Sequence, residues 1–448
     1  MILKGNCLDT LKTLPDCSVD SIVTDPPYEL GFMGKSWDNS GIAYSTELWA
    51  ECLRVLKPGG HLLAFSGSRT YHRMVVAIED SGFEIRDQIM WLYGSGFPKS
   101  LDVSKAIEGT LTTGSSNKKD FKNLAGEQVE RGNWGIAKAQ QTHGQRETNY
   151  DETAGETRLG KLAPTTPEAQ QWEGWGTALK PAHEPIVVAR KPLIGTVANN
   201  VLTYGTGALN IDKSRVGTTV ETWPATRTYS SKEMSRPGST LADDAETQST
   251  GEAPAGRWPA NVIHDGSDEV LAGFPTAKGG TWNTTAGARH FNNDGEPTLY
   301  QTSKTDNSSG SAARFFYCAK ASKSERNAGL EGLPQQTGGK ATGRVDGSAG
   351  LSSPRAGAGR TGGSANIHPT VKPLALMRYL VRLVTPPNGI VLDPFLGSGT
   401  TACAAILEGF EWIGCEMTED YWPIIEARVE WAHGEFDKIV VQPELTNG

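Results

Sequence analysis

The sequence predicts an α/β fold, a mostly parallel sheet with helices on both faces, and three observations predict it. Short apolar runs that suit buried strands alternate with stretches of helical periodicity, the rhythm of strand–helix–strand units. These runs are confined to the two ends of the chain and flank a polar middle. Late in the chain, a strand with an acidic tip leads through a glycine-rich turn into a helix, which is how an open α/β sheet presents a ligand site at the carboxyl edge of its strands. With 448 residues the chain is long enough for one sizeable core carrying large insertions.

The elements follow in order. Val19–Thr24 reads as a buried strand, after which Leu48, Cys52 and Val55 recur at helical spacing until Pro58, Gly59 and Gly60 stop the helix. Positions 61–66 read as a strand, 71–80 as a helix and 85–93 as a strand. From 109 to 176 the composition is too polar to bury a core unaided and reads as a long insertion. A β-branched strand returns at 185–189, and 197–211 is mixed. The segments 217–256 and 278–310 read as polar loops, 312–319 is an aromatic island around Phe315, Phe316 and Tyr317, and 332–363 is Gly-rich. Leu374, Met377, Val381 and Val384 share one helical face that Thr385, Pro386 and Pro387 terminate. A strand at 389–393, a helix at 400–407, a strand at 410–416 and an amphipathic helix at 419–431 complete the chain.

Composition excludes several classes. Six cysteines without C-x-x-C spacing argue against a zinc site and against a disulfide framework, and no metal is expected. No apolar run approaches the roughly 18 residues of a membrane span, so a cytoplasmic protein is expected. The net charge of −8 does not advertise a nucleic-acid binder, yet local patches decide that affinity. Between 320 and 382, Lys320, Lys323, Arg326, Lys340, Arg344, Arg355, Arg360, Lys372, Arg378 and Arg382 face only Glu325, Glu331 and Asp346. That bias suits either a phosphate-binding arm or a solvated loop.

Two motifs carry chemistry. The strand ending at Asp393 leads through Pro394, Phe395, Leu396, Gly397, Ser398, Gly399, Thr400 and Thr401 into a helix, and its glycines let a ligand approach the backbone. The next strand ends at Glu416, a little over 20 residues on, where a carboxylate can accept from ribose hydroxyls. A phosphate loop is the rival reading, and it lacks the lysine that would meet the phosphates. The other motif is Asp25, Pro26, Pro27 and Tyr28 directly after a strand. An exocyclic base amine is a poor nucleophile because its lone pair is delocalised into the ring. A carboxylate at Asp25 and the Pro26 carbonyl can accept its two N–H bonds while Tyr28 stacks on the base.

Together, in this order, the motifs resemble those of the DNA amino-methyltransferases that modify adenine N6 or cytosine N4, in the family's beta arrangement. The resemblance covers about the first 110 residues, 180–191 and the stretch from His368 to the last helix. It implies a seven-stranded, Rossmann-like sheet, circularly permuted, and S-adenosylmethionine as cofactor. His368, Pro369, Thr370, Val371, Lys372 and Pro373 resemble a family segment beside the methionine part of the cofactor, which implicates Thr370 and Lys372. Gly5, Asn6 and Cys7 resemble a segment near the adenine ring that usually has Asp where this chain has Asn6. His183 and Glu184 resemble a recurring pair that supports the catalytic half.

The implied division is a catalytic half at 1–110, a polar insertion at 111–179, a return to the core at 180–215, target recognition at 216–365, a cofactor half at 366–435 and a tail at 436–448. Base flipping by such an enzyme needs wedging or stacking groups, for which Trp91, Tyr93, Phe97, Trp258, Phe315, Phe316 and Tyr317 are candidates. Adenine N6 is favoured over cytosine N4, whose enzymes more often have Ser at the position of Asp25. A C5-cytosine enzyme is excluded because no cysteine follows a proline. An RNA or protein amide methyltransferase and an inactive DNA-binding relative are the other readings. The expected partner is double-stranded DNA, with a homodimer and an accompanying restriction nuclease left open.

Overall fold

A computed structural model describes residues 1–30, 36–94, 96, 100–113, 164–216, 226–229, 246–249, 256–278, 281–285, 290–291, 297–298, 301–305, 309–319, 323–335 and 365–441. The chain divides into two units, Met1–Gly94 with His183–Gly448, and Ser95–Ala182.

The first unit is built on one sheet. Its strands are β1 (Ile2–Lys4), β2 (Val19–Thr24), β3 (Leu56–Phe65), β4 (Glu84–Leu92), β5 (His183–Arg190), β6 (Val262–His264), β7 (Tyr317–Cys318), β8 (Ile390–Asp393) and β9 (Glu411–Glu416). They lie in the order β1-β9-β8-β2-β3-β5-β4-β6-β7, and all pairs are parallel except those that β5 makes with β3 and β4. The first seven in that order form the expected permuted sheet. The sheet has nine strands instead of seven because β6 and β7 continue it past β4. With three and two residues, these strands are too short to show a period in sequence.

The middle strands are buried on both faces, which accounts for their near-continuous apolar runs. Polar residues within them are satisfied internally. Asp20 of β2 accepts from Lys57 at 2.6 Å and from the Ile390 amide at 2.8 Å, while Ser21 and Thr385 share a hydrogen bond of 2.8 Å. These contacts tie β2 to β3 and to the approach to β8.

Helices α1 (Cys7–Leu11), α2 (Thr46–Val55) and α3 (Tyr71–Asp80) precede β5 in this unit. Ser45 caps α2 by accepting from the Leu48 amide. Contrary to expectation, α2 does not run on to Pro58. It passes directly into β3 at Leu56, and Pro58, Gly59 and Gly60 sit inside the strand where its pairing with β2 is irregular. Gly59 has φ +78°, and a Cβ there would stand 2.4 Å from Asn200 Nδ2. That amide instead donates to the Pro58 and Thr206 carbonyls, each at 2.8 Å.

The segments 217–256 and 278–310, expected as loops, contain antiparallel ribbons among their described residues. Thr226–Tyr229 pairs with Glu246–Ser249, and Thr281–Thr285 with Gln301–Thr305. Threonine suits a strand, but the scarcity of apolar residues hides any alternation. In the second unit α4 (Val103–Thr113) and α5 (Pro167–Gln171) are joined by Glu108, which accepts from the hydroxyls of Thr165 and Thr166 and from the Thr166 amide. The remainder of the expected insertion, 114–163, lies outside the described residues.

After β5, besides short helices at Asp268–Gly273 and Lys323–Asn327, come α6 (Val197–Tyr204), α7 (Leu374–Val384), α8 (Thr400–Leu407) and α9 (Trp422–Val441). The last is longer than the predicted 419–431 and follows a 3₁₀ turn at Glu419–Tyr421. Helix α7 meets α8 through Glu408, which receives Arg378 Nε at 2.7 Å and Arg382 Nε at 2.6 Å. Burial opposes the charge of Glu408, but the two guanidinium groups prevail and hold its carboxyl below the usual range. Glu408→Gln is expected to lower the unfolding free energy by about 2 kcal/mol in urea titrations. Because the folded-state value is depressed, the wild-type contribution is complete above about pH 4.3 and is lost as the pH falls below it.

The same contacts revise the basic-arm reading. Arg326 donates to the His368 carbonyl at 2.6 Å, Lys372 is held by carboxylates, and Arg378 and Arg382 clamp Glu408. These four are parts of the core architecture. Lys320, Lys340, Arg344, Arg355 and Arg360 lie outside the described residues.

Candidate active site

Parallel strands β2 and β8 are neighbours, so the two motifs that follow their tips meet although they are far apart in sequence. One hydrogen bond locks them: Thr24 Oγ1 donates to Asp393 Oδ1 at 2.6 Å. Asp393 is buried, and it also receives the Phe395 amide at 3.0 Å and Thr401 Oγ1 at 2.6 Å. Burial, opposed by these three donors, pushes its carboxyl up to about 6. Asp393 therefore organises the loop that follows it from within.

Past β2, Asp25 is held by Lys372, whose Nζ lies 2.6 Å from Asp25 Oδ2. The same ammonium donates to the Tyr28 oxygen at 3.1 Å and stands 3.3 Å from Glu184 Oε2. The Tyr28 hydroxyl donates to Glu184 Oε2 at 2.8 Å. Burial, reinforced by Asp25 and Glu184, raises the Tyr28 phenol well above its ordinary value, so it stays a donor. Burial works against the Lys372 charge, but the two carboxylates outweigh it and raise the ammonium above its ordinary value. Asp25 Oδ1 is buried and has no hydrogen-bond partner among the described residues.

The glycine-rich loop wraps the tip of β9. Gly397 and Gly399 have φ of +55° and +80°, backbone that favours glycine. A Cβ on Gly397 would also stand 2.9 Å from His368 Nε2. The His368 ring donates through Nδ1 to the Thr370 carbonyl at 2.7 Å, and burial lowers it to about 4, so it is neutral near pH 7. Glu416 accepts from the Gly397 amide at 2.8 Å and from the Thr418 amide at 2.7 Å, one bond on each oxygen. Pro394 is buried beside Phe395, and Ser398 and Thr400 both accept from Arg428 Nη1 at 3.0 Å.

The start of the chain completes this face. Parallel pairing sets Lys4 of β1 against Glu416, and the Gly5 amide donates to the Glu416 carbonyl at 3.0 Å. Asn6 caps α1 by accepting from the Leu8 amide at 2.9 Å, and burial raises the Cys7 thiol to about 11. Thus Asn6 and Cys7 stand beside Glu416, while Asp25, Tyr28 and Lys372 gather at the neighbouring strand tips.

Three contributors were missed from sequence. Thr24 reads as an ordinary strand residue, and Thr401 stands in the loop motif without a role assigned to it. Arg428 was signalled by position, since it sits between Ile425 and Ala432 on the buried face of α9 and is itself 1% exposed. Among the candidate stacking groups, Trp91 is buried against Tyr93 and Tyr317 is stacked on Tyr379 at 4.1 Å, so both belong to the core. Phe316 packs on Phe274, whereas Trp258 is exposed beside Arg215. Phe97 and the Phe315 side chain lie outside the described residues.

Residues 19–427 match a family model described as a DNA methylase. A putative methylase of Escherichia coli (strain K12), YubD, is 50% identical over 54 residues, which cover 12% of this chain and 24% of that protein. The type II methyltransferase M.HpaI of Haemophilus parainfluenzae is 34% identical over 116 residues, 25% of this chain and 37% of its own. The chain thus spans well under half the length of these curated relatives. Among solved structures, the PvuII DNA methyltransferase (cytosine-N4-specific) aligns with a TM-score of 0.38 and 14% identity, covering 98% of this chain and 92% of that one.

Proposed function

The chain belongs to the DNA methylase family of N6 and N4 amino-methyltransferases, and we propose that it transfers a methyl group from S-adenosylmethionine to N6 of adenine in duplex DNA. One observation carries the reading. Asp25 presents a buried oxygen without a partner among the described residues while Lys372 fixes the other. An unsatisfied buried acceptor costs about 1–3 kcal/mol, and an exocyclic amine N–H relieves that cost.

The target base leaves the helical stack to reach this pocket. Asp25 Oδ1 and the Pro26 carbonyl accept its two N–H bonds, which localises the nitrogen lone pair. The rigid Pro26–Pro27 turn fixes their spacing, and the Tyr28 ring, anchored through its hydroxyl by Glu184, supplies the stacking surface. Asp25 then takes the proton that the nitrogen loses as its bond to carbon forms. The presence of Asp25, rather than Ser, supports adenine.

S-adenosylmethionine, the family's methyl donor, supplies when bound an electrophilic methyl on a sulfonium. The residues present fit it. Gly397 and Gly399 let the loop turn with positive φ tight against His368 and Ile425, which shapes it over the tip of β9, and each Glu416 oxygen, used once by a backbone amide, retains acceptor capacity for ribose hydroxyls. Asn6 and Cys7 flank the adenine side, and Thr370, Pro394, Phe395, Ser398 and Thr400 frame the rest. Asp393 holds that frame in shape. Lys372, implicated by resemblance in the cofactor carboxylate, is assigned to the target side because its ammonium is engaged by Asp25 and Glu184.

Glu416→Ala should weaken S-adenosylmethionine binding by about 1.5–3 kcal/mol, measured by calorimetry. An unchanged dissociation constant would move the ribose contact elsewhere. The proposed activity itself is tested by tritiated-methyl transfer to DNA, RNA and protein in parallel. Label in DNA supports it, and label only in RNA or protein rejects it.

A further inference from the structure

We propose that Glu184 is a positioning residue that keeps Asp25 Oδ1 available to the target amine by occupying one of the three N–H donors of Lys372. The inference rests on the amino-methyltransferase reading above. An ammonium has three donors and no acceptor. Around Lys372 stand three acceptors: Asp25 Oδ2 at 2.6 Å, the Tyr28 oxygen at 3.1 Å and Glu184 Oε2 at 3.3 Å. Lys372 donates to Asp25 Oδ2 and the Tyr28 oxygen and faces Glu184 as an ion pair on its remaining side, while Asp25 Oδ1 has no partner among the described residues.

Glu184 is held where it can do this. It pairs with Trp91 across β5 and β4, and directly opposite residues of an antiparallel pair share a face. Two residues further along β5, Ile186 lies opposite Phe65 of β3, over whose ring the Lys372 ammonium stands at 4.9 Å. Glu184 also receives the Tyr28 hydroxyl at 2.8 Å, so one carboxylate fixes both the lysine and the stacking ring. Without Glu184, the freed Lys372 donor can turn to Asp25 and cap the oxygen that the amine needs. The loss would fall on the chemical step and not on the cofactor.

The test uses the full-length chain, DNA from a host lacking amino-methylation of its bases, and tritiated S-adenosylmethionine in single-turnover assays. Glu184→Ala is expected to slow methyl transfer about a hundredfold while the cofactor dissociation constant changes by less than about twofold. Glu184→Gln keeps a carbonyl oxygen for the lysine and the tyrosine, and should recover activity to within about fivefold of wild type. An alanine variant as fast as wild type, or a glutamine variant as slow as the alanine one, overturns the proposal.

A pH series on the glutamine variant decides the matter even if the alanine variant fails to fold. Lys372 faces Asp25, Glu184, Tyr28, Tyr93 and His368, of which only the two carboxylates raise its affinity for protons. With one carboxylate removed, burial weighs more heavily and the ammonium loses its proton at a lower pH. The Lys372 ammonium of Glu184→Gln should therefore titrate at a lower pH than that of wild type, followed by NMR of lysine-labelled protein without DNA from about pH 8 to 11.5. Coincident profiles overturn the proposal. If wild type itself methylates no DNA, the parent reading fails, whereas active wild type with unaffected variants defeats only the role of Glu184.

Discussion

Asp25→Ala is expected to reduce methyl transfer about a thousandfold or more and to leave S-adenosylmethionine affinity unchanged within about twofold. Its carboxylate acts on the target amine, whereas the proposed cofactor contacts lie around Glu416, Gly397 and Asn6. The fold should tolerate the change. Lys372 keeps Glu184 at 3.3 Å, so one cation still faces one carboxylate. Single-turnover assays alongside calorimetry separate the two effects. A variant that binds cofactor normally and methylates DNA at a near-wild-type rate would remove Asp25 from the chemistry.

Lys372→Met is expected to cost both activity and stability. The ammonium is the shared cation of Asp25 and Glu184, whose side chains are 19% and 20% exposed. Removing one partner of a buried ion pair costs about 3–5 kcal/mol, and the partial exposure of the acids places this case at the lower end. Two facing carboxylates without a cation repel each other, and Asp25 loses the contact that fixes its orientation toward the amine. The double variant Lys372→Met, Glu184→Gln restores the net charge of the cluster and should regain part of the lost stability without regaining activity. Urea unfolding of the two proteins checks this. If Lys372→Met is as stable as wild type, the lysine does not compensate the carboxylates.

Much of the architecture was legible because its core elements are buried on regular faces. Val19–Thr24 and Thr400–Leu407 were read with the bounds they have, the first from Val19, Ile22 and Val23 and the second between Gly399 and Gly409. What escaped was either too short or too polar to carry a period. Strands β6 and β7 and the threonine-rich ribbons are of this kind. The end of α2 was misplaced because Pro58 and the glycines after it normally stop helices, and here they shape an irregular strand against Asn200.

At the site, residue types were legible and their partnerships were not. The D-P-P-Y motif and the loop after Asp393 could be picked out as strings. The Lys372–Asp25 pair is 347 residues apart in sequence, and only the folded sheet brings it together. The same holds for Asp393, whose oxygens are taken by Thr24, Thr401 and the Phe395 amide. Asn6, unusual for the family segment it resembles, still performs a helix cap, which an amide oxygen does as well as a carboxylate.

The most direct test of the central reading is nucleoside analysis of methylated product. DNA lacking base amino-methylation is incubated with the purified chain and labelled S-adenosylmethionine, digested to nucleosides and resolved by mass. Labelled N6-methyldeoxyadenosine from wild type, absent with Asp25→Ala, is the predicted result. Labelled N4-methyldeoxycytidine would contradict the choice of adenine, and label in neither nucleoside would contradict the proposed DNA methyl transfer.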